Sequence, residues 1–176
     1  MRAASNPYPG AMPDPQARQQ FDSDELETWS ALATVLEWLP AALDTQLTQE
    51  SGLTHFEFGV LFALANAPDR TLRMSVLAGY SNGTLSRLSR AVARLERTGW
   101  VRRSPDPSDG RYTLATLTAT GSDKVSEALP SHVALVRRLI LDPLTASQIR
   151  QLRDISRRIM TAIRSEPGWQ PASNET

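Results

Sequence analysis

The sequence predicts a mostly α fold carrying a small antiparallel β-wing, and three observations lead there. Apolar residues recur every three or four positions through most of the chain, the period of a helix with one inward face. Between residues 100 and 117 that period gives way to two strand-like runs around a cluster of turn formers. Just ahead of this ribbon lie a short helical segment, a turn and a longer Arg-bearing helix. Two helices so close in sequence must cross steeply, and with a ribbon after them they make a winged helix-turn-helix flanked by the remaining helices.

Taken in order, residues 1–20 hold Pro7, Pro9, Pro13, Pro15 and Gly10 with few large apolar groups, so a disordered tail is expected. Over residues 23–50, Leu26, Trp29, Ala33, Leu36, Pro40, Leu43 and Leu47 form a helical stripe. Pro40 removes a backbone donor within it, predicting either a kinked helix or two helices meeting near Leu39. Thr54-His55-Phe56-Glu57 is a capping box, opening a helix to about Ala67 that Pro68-Asp69 ends. Thr71-Leu72-Arg73 can add a short third strand to the ribbon.

Residues 75–79 suffice for a turn or two of helix, with Leu77 and Ala78 inward and Gly79-Tyr80 turning the chain. In the longer helix, residues 82–98, Leu85, Leu88, Val92 and Leu95 share one face while Asn82, Ser86, Arg87, Arg90, Arg94 and Arg97 fall on others. Ser81 stands where an N-cap belongs and Gly99 where a helix stops. Trp100 to Ser104 and Tyr112 to Leu117 read as strands, with residues 105–110 as a long exposed tip. Thr118 caps a helix to about Leu141 with Val125, Leu129, Val133, Val136 and Ile140 in a stripe that Pro130 bends. Thr145-Ala146-Ser147-Gln148 is a second capping box, starting a last helix with Ile149, Leu152, Ile155, Ile159 and Ile163 inward; residues 166–176 should fray. The organisation is thus a winged helix-turn-helix at 53–118 with flanking helices at 21–52 and 119–165.

The 176 residues, 40% hydrophobic and 22% charged, suit one globular domain with a real core. No apolar run reaches a membrane span and no signal-peptide core is visible, which points to a cytoplasmic protein. The absence of cysteine excludes disulfides, thiolate metal sites and thiol-based oxidant sensing. Two distant histidines make zinc sensing improbable, and no nucleophile motif, phosphate-cradling glycine loop or metal cluster speaks for an enzyme.

Net charge is zero, yet its distribution is uneven. Residues 1–57 carry two Arg against nine acids, whereas residues 73–111 carry eight Arg against Glu96, Asp106 and Asp109. A positive patch on a helix and ribbon suits double-stranded DNA. Ser81, Asn82, Thr84 and Arg87 lie where the start of the second helix would meet base edges, with Ser86 a further DNA-binding candidate; Asn suits adenine and Arg suits guanine because each offers paired hydrogen bonds. Arg90 and Arg94 fit phosphates, which fix register without reading sequence, and Arg103 on the ribbon is a further DNA-binding candidate. Arg111 leaves the ribbon tip, where a guanidinium can enter a minor groove, and Asp109 is expected to brace a nearby Arg there.

In order and spacing, Leu72-Arg73-Met74-Ser75, Leu77-Ala78, Leu85-Ser86-Arg87-Leu88-Ser89-Arg90, Arg94-Leu95-Glu96, Gly99-Trp100-Val101-Arg102-Arg103, Asp109-Gly110-Arg111 and Leu117-Thr118-Ala119-Thr120-Gly121 resemble the multiple-antibiotic-resistance regulator (MarR) family of bacterial transcription factors. The likeness extends over about residues 43 to 163. It implies that the flanking helices form a dimerisation domain, that a homodimer binds an inverted-repeat operator, and that repression is the usual mode. It also implies a small aromatic or phenolic effector, with no other cofactor, in a cleft for which Trp29, Trp38, His55, Phe58 and Phe62 are the candidates, although aromatic groups at helical spacing are more often core. His55 in its capping box reads as solvent-facing, and His132 beside Pro130 as a packing or interface residue. The rival reading is a winged-helix module for protein contact without sequence-specific DNA binding, because a fold does not dictate its partner.

Overall fold

A computed structural model describes residues 20–80 and 85–166 of the chain, so both expected tails lie almost entirely outside the described residues. The chain divides into two compact units, Met1–Leu39 and Pro40–Thr176. Helix α1 (Ser23–Ser51) runs through the boundary with Pro40 inside it, a single assigned helix in place of two. Its expected stripe is only partly inward: Leu43 and Leu47 are buried, while Leu26, Trp29 and Leu36 in the first unit are exposed. Asp22 and Glu25 cap its start, each side chain accepting from the other's backbone N–H.

The second unit holds the core. Helix α2 (His55–Ala65) opens on the expected box: Thr54 accepts from the Glu57 N–H, and Glu57 accepts from the Thr54 N–H at 2.9 Å. A tight turn at Pro68–Arg70 leads into β1 (Thr71–Arg73), then α3 (Met74–Tyr80) and α4 (Leu85–Arg97). Leu88, Val92 and Leu95 of α4 are fully buried against Leu61, Leu64 and Leu77 among others, each worth about 1.5–3 kcal/mol by apolar transfer. Leu85, expected on the same inward face, is exposed; it precedes the first buried turn of the helix and lies beyond the core. The expected N-cap Ser81 lies outside the described residues.

At its other end, α4 stops as its sequence requires. Gly99 has φ +78, and the N–H groups of Gly99 and Trp100 donate to the carbonyls of Glu96 and Leu95, closing a Schellman motif. Strands β2 (Val101–Asp106) and β3 (Asp109–Leu117) follow, and β1 joins to give an antiparallel sheet of order β1-β3-β2. Thr71 pairs with Thr116 and Val101 with Leu117. The ribbon tip differs from expectation: the strands extend until only Pro107 and Ser108 separate them, with an irregularity at Pro105/Asp106. Turn-forming composition marked the region, but cross-strand pairing claimed most of it.

Thr118 caps α5 (Ala119–Val136), accepting from the Gly121 N–H at 3.0 Å. Pro130 lies inside this helix, and Arg137–Leu141 continue it as a π-helical turn rather than as α-helix. Val125, Ala128 and Leu135 are buried, whereas Val133 of the expected stripe is exposed. The second capping box holds at Thr145 and Gln148, opening α6 (Ala146–Ser165). No residue of α6 is buried, and Leu152, Ile155, Ile159 and Ile163 face solvent in the single chain.

Candidate nucleic-acid interface

The buried Leu88, Val92 and Leu95 fix which way α4 turns its other side chains. At about 100° per residue, Ser86, Arg87, Arg90, Arg94 and Arg97 fall within roughly a 100° arc opposite that trio. All five are exposed. The core thus orients the cationic face through packing.

Arg87, Arg90 and Arg94 have different settings on that face. The Arg87 guanidinium lies 4.3 Å from the ring centroid of Phe56, a cation–π contact that steers a long side chain. Arg90 donates to the Ser86 carbonyl one turn earlier at 3.4 Å. Arg94 is turned toward the protein body: it stands 3.3 Å from Glu57 Oε1 and donates to the Gly52 carbonyl at 3.1 Å. Glu57 is buried and its other oxygen serves the Thr54 cap, so this one carboxylate ties the start of α2 to the far end of α4. The phosphate contact expected of Arg94 would require it to leave these partners. Ser81, Asn82 and Thr84 lie outside the described residues.

The wing is braced twice. Arg111, 82% exposed at its side chain, donates to Asp109 through Nε at 2.9 Å and through its terminal nitrogen at 2.6 Å, the bracing expected of Asp109. The pair holds the Asp109 carboxyl below its ordinary range. The second brace went unseen in the sequence. Buried Asp106 accepts from the Ser108 backbone N–H at 2.8 Å, the Ser108 hydroxyl at 2.7 Å and Arg73 Nε at 2.7 Å. The bonds from Ser108, with Arg73 adding to them, lower its pKa to about 2. Arg73 also stacks on Tyr112 at 4.6 Å, so β1, the turn and β3 are held together at the tip. Asp106-Pro107-Ser108 carries the spacing of an Asx-turn, the signal from which this brace could have been read. Arg103 forms a close pair with Glu96 at 2.6 Å, and Glu96 Oε1 also accepts the Arg103 N–H, fastening the end of α4 to β2.

Between α4 and the wing runs an open cleft of about 620 Å³, lined by Met74, Ser75, Leu85, Ser89, Arg103, Arg111, Tyr112 and Thr113. Hydroxyls and guanidinium groups over an apolar floor suit a sugar–phosphate strand.

The five aromatic effector candidates are distributed unevenly. Phe58 is core, and it stacks with Phe62 at 5.9 Å. His55 is half-buried instead of facing solvent: its backbone N–H donates to Asp44, and its ring lies 5.8 Å from His132, which in turn packs 4.7 Å from Phe58. Burial lowers the pKa of both histidines. Trp29 and Trp38 belong to the first unit, where both are exposed. Among the described residues no three His, Cys, Asp or Glu side chains gather as a metal site.

Comparison with known proteins settles the kinship. The MarR family model matches residues 51–111. A DNA-bound crystal structure of Sco3205, a MarR family transcriptional regulator from Streptomyces coelicolor, superposes with a TM-score of 0.83 at 39% identity, covering 87% of this chain and 97% of that one. The chain belongs to the MarR family. A second MarR regulator from the same organism, AbsC, is 31% identical with a TM-score of 0.79, covering 84% of this chain and 99% of its own. The HTH-type transcriptional regulator YdcH of Bacillus subtilis is 36% identical over 83 residues, which are 46% of this chain and 56% of YdcH. The chain spans about half the length of the curated relatives it matches. Its mostly helical architecture with a three-stranded antiparallel sheet is that of the winged-helix MarR structures. Among the described residues no helix is long and apolar enough to cross a membrane.

Proposed function

We propose that this MarR family member is a cytoplasmic transcriptional regulator that binds double-stranded DNA sequence-specifically as a homodimer, represses transcription, and is released by a small aromatic or phenolic effector. The observation that carries the reading is the shared cleft: α4 contributes Leu85 and Ser89 to it and the wing contributes the exposed Arg111. Ser86, Arg87 and Arg90 would address the major groove and its phosphates, and Arg111 the adjacent minor groove. Homodimerisation is supported by α6, whose apolar side chains have no cover in the single chain. A two-fold pair would set its reading heads about 34 Å apart and so prefer an inverted repeat.

The test is fluorescence anisotropy on duplexes selected from a random pool, repeated over a salt series. Affinity should fall steeply with salt, since each neutralised phosphate adds about 0.9 to the log–log slope. Arg87→Ala and Arg111→Ala should each weaken binding by about 1–3 kcal/mol. Failure of the pool to yield any duplex bound above the background of random DNA would instead favour a winged helix used for protein contact, and selected binding that survives both substitutions unchanged would overturn the roles given to Arg87 and Arg111.

A further inference from the structure

The last turn of α4 is held from two sides. Arg94 reaches Glu57 of α2 at 3.3 Å and the Gly52 carbonyl at 3.1 Å, and two residues further on Glu96 pairs with Arg103 of β2 at 2.6 Å. At about 100° per residue, positions 94 and 96 lie roughly 160° apart around the helix, so the two ion pairs grip it from opposite flanks. Burial of Leu88, Val92 and Leu95 fixes which face of α4 is inward, and these pairs fix the tilt of its axis.

The two grips differ in kind. Glu96 and Arg103 are both partly exposed, whereas Glu57 is buried beneath a half-exposed Arg94. One Glu57 oxygen takes both Thr54 donors and the other faces Arg94. Were the guanidinium to swing out to a phosphate, that buried carboxylate would lose its only charged partner among the described residues, a costly state. The Gly52 carbonyl belongs to a fixed turn: Gly52 has φ +66 and its N–H donates to the Thr48 carbonyl. Place along the helix adds to the case, since Arg94 lies seven residues beyond Arg87, about 10.5 Å further from the end that enters a groove. The first turn of α2 also carries Phe56, whose ring meets Arg87 at 4.3 Å. Helix α2 therefore supports the reading face at two points, two helical turns apart.

We infer that Arg94 is a positioning residue: locked to Glu57, it sets the tilt of α4 for base recognition and touches no phosphate. This rests on the DNA-binding reading above and changes the part Arg94 plays in it. The 13 residues of α4 span about 18 Å, so a tilt of about 5° at the anchored end carries the other end by about 1.5 Å. Hydrogen bonds to base edges hold over only about half an ångström, whereas attraction to phosphates tolerates such a shift. Loss of the lock therefore costs sequence discrimination and spares general affinity for DNA.

Fluorescence anisotropy of the full chain tests it, on a duplex selected from a random pool and on random DNA, each over a salt series. The deciding variant is Glu57→Gln/Arg94→Met, which leaves the net charge of the wild type unchanged; Gln keeps an acceptor for the Thr54 cap and Met keeps an apolar stem at 94. It should bind the selected duplex at least about tenfold more weakly, bind random DNA within about twofold of the wild type, and keep the wild-type salt slope. Glu57→Gln alone should also weaken selected binding, although removing an acid close to a DNA-binding face would by charge alone strengthen it. A phosphate contact gives a different pattern: the slope falls by about 0.9, selected and random DNA lose affinity alike, and Glu57→Gln, by freeing the guanidinium, binds more tightly. That pattern, or a double variant that binds as the wild type does, would overturn the positioning role alone. Circular dichroism and urea titration establish that each variant is folded; where Glu57→Gln is not, Arg94→Met alone decides through the salt slope, unchanged for positioning and lowered for a phosphate contact. A pool that yields no duplex bound above random DNA would overturn the DNA-binding reading itself, and this role with it.

Discussion

Gly121→Ala sets two physical effects against each other at the junction between wing and α5. Gly121 occupies the third position of α5, and its N–H donates to the Thr118 side chain. Helix propensity alone would make alanine better there by about 0.8–1.0 kcal/mol. The surroundings reverse the sign. A Cβ at this position would overlap the Trp100 carbonyl oxygen and stand 2.8 Å from Leu117 Cδ1 and 3.0 Å from the Trp100 carbonyl carbon, well inside the ~3.5–4.0 Å at which carbon atoms rest. The Trp100 carbonyl cannot easily give way, because it accepts the Thr118 N–H at 3.0 Å and the Thr118 hydroxyl at 3.1 Å. Because the clash is largely with backbone, its cost lies at the upper end of the roughly 1–3 kcal/mol of overpacking, about 2–3 kcal/mol or more, so the net expectation is a loss of about 1–2 kcal/mol or more after the propensity gain. For a chain of this size that lowers Tm by roughly 2–8 °C. Thermal denaturation followed by far-ultraviolet circular dichroism, with urea titration as the second measure, reads it directly. A Tm equal to or above that of the wild type would refute the claim that close approach, and not chain flexibility, is what requires glycine at 121.

Other expectations follow from the braces. Glu57→Gln keeps an acceptor for the Thr54 cap but abolishes the charge facing Arg94, so stability should fall by about 1–2 kcal/mol in urea titration, whereas Glu57→Ala should cost more by losing the cap as well. His55 and His132 have pKa values lowered by burial, so the unfolded chain takes up protons first as pH falls below 6.5. Their contribution to stability is therefore complete above that pH and is lost as pH drops through the folded-state values. Tm measured from pH 7.5 to 5 should decline more gently in His132→Phe than in the wild type, and an unchanged slope would contradict the burial argument.

Local signals determined much of this protein. Thr54 with Glu57, Thr145 with Gln148, Thr118 and Gly99 mark helix ends in sequence and do so in space, because each motif satisfies orphan backbone groups with residues at most a few positions away. The alternation at Leu88, Val92 and Leu95 likewise set the direction of the cationic face. The wing pair Asp109 and Arg111 was legible for the same reason, being two residues apart.

Tertiary structure decided what depends on partners distant in sequence. Arg94 reads as one more cation on an exposed face, and only the arrival of Glu57 and the Gly52 carbonyl turns it inward. Arg73 and Asp106 become a wing brace only once β1 pairs with β3. Pairing across the ribbon also shortened the tip that turn-forming residues had suggested. Periodicity placed apolar stripes on α1 and α6 but could not say what would cover them, since it records which face is greasy and not what meets it. Caps and stripes are written within a few turns of chain, whereas the partners of a guanidinium or of an apolar face are chosen by the fold, and for the apolar face of α6 the described residues supply no cover.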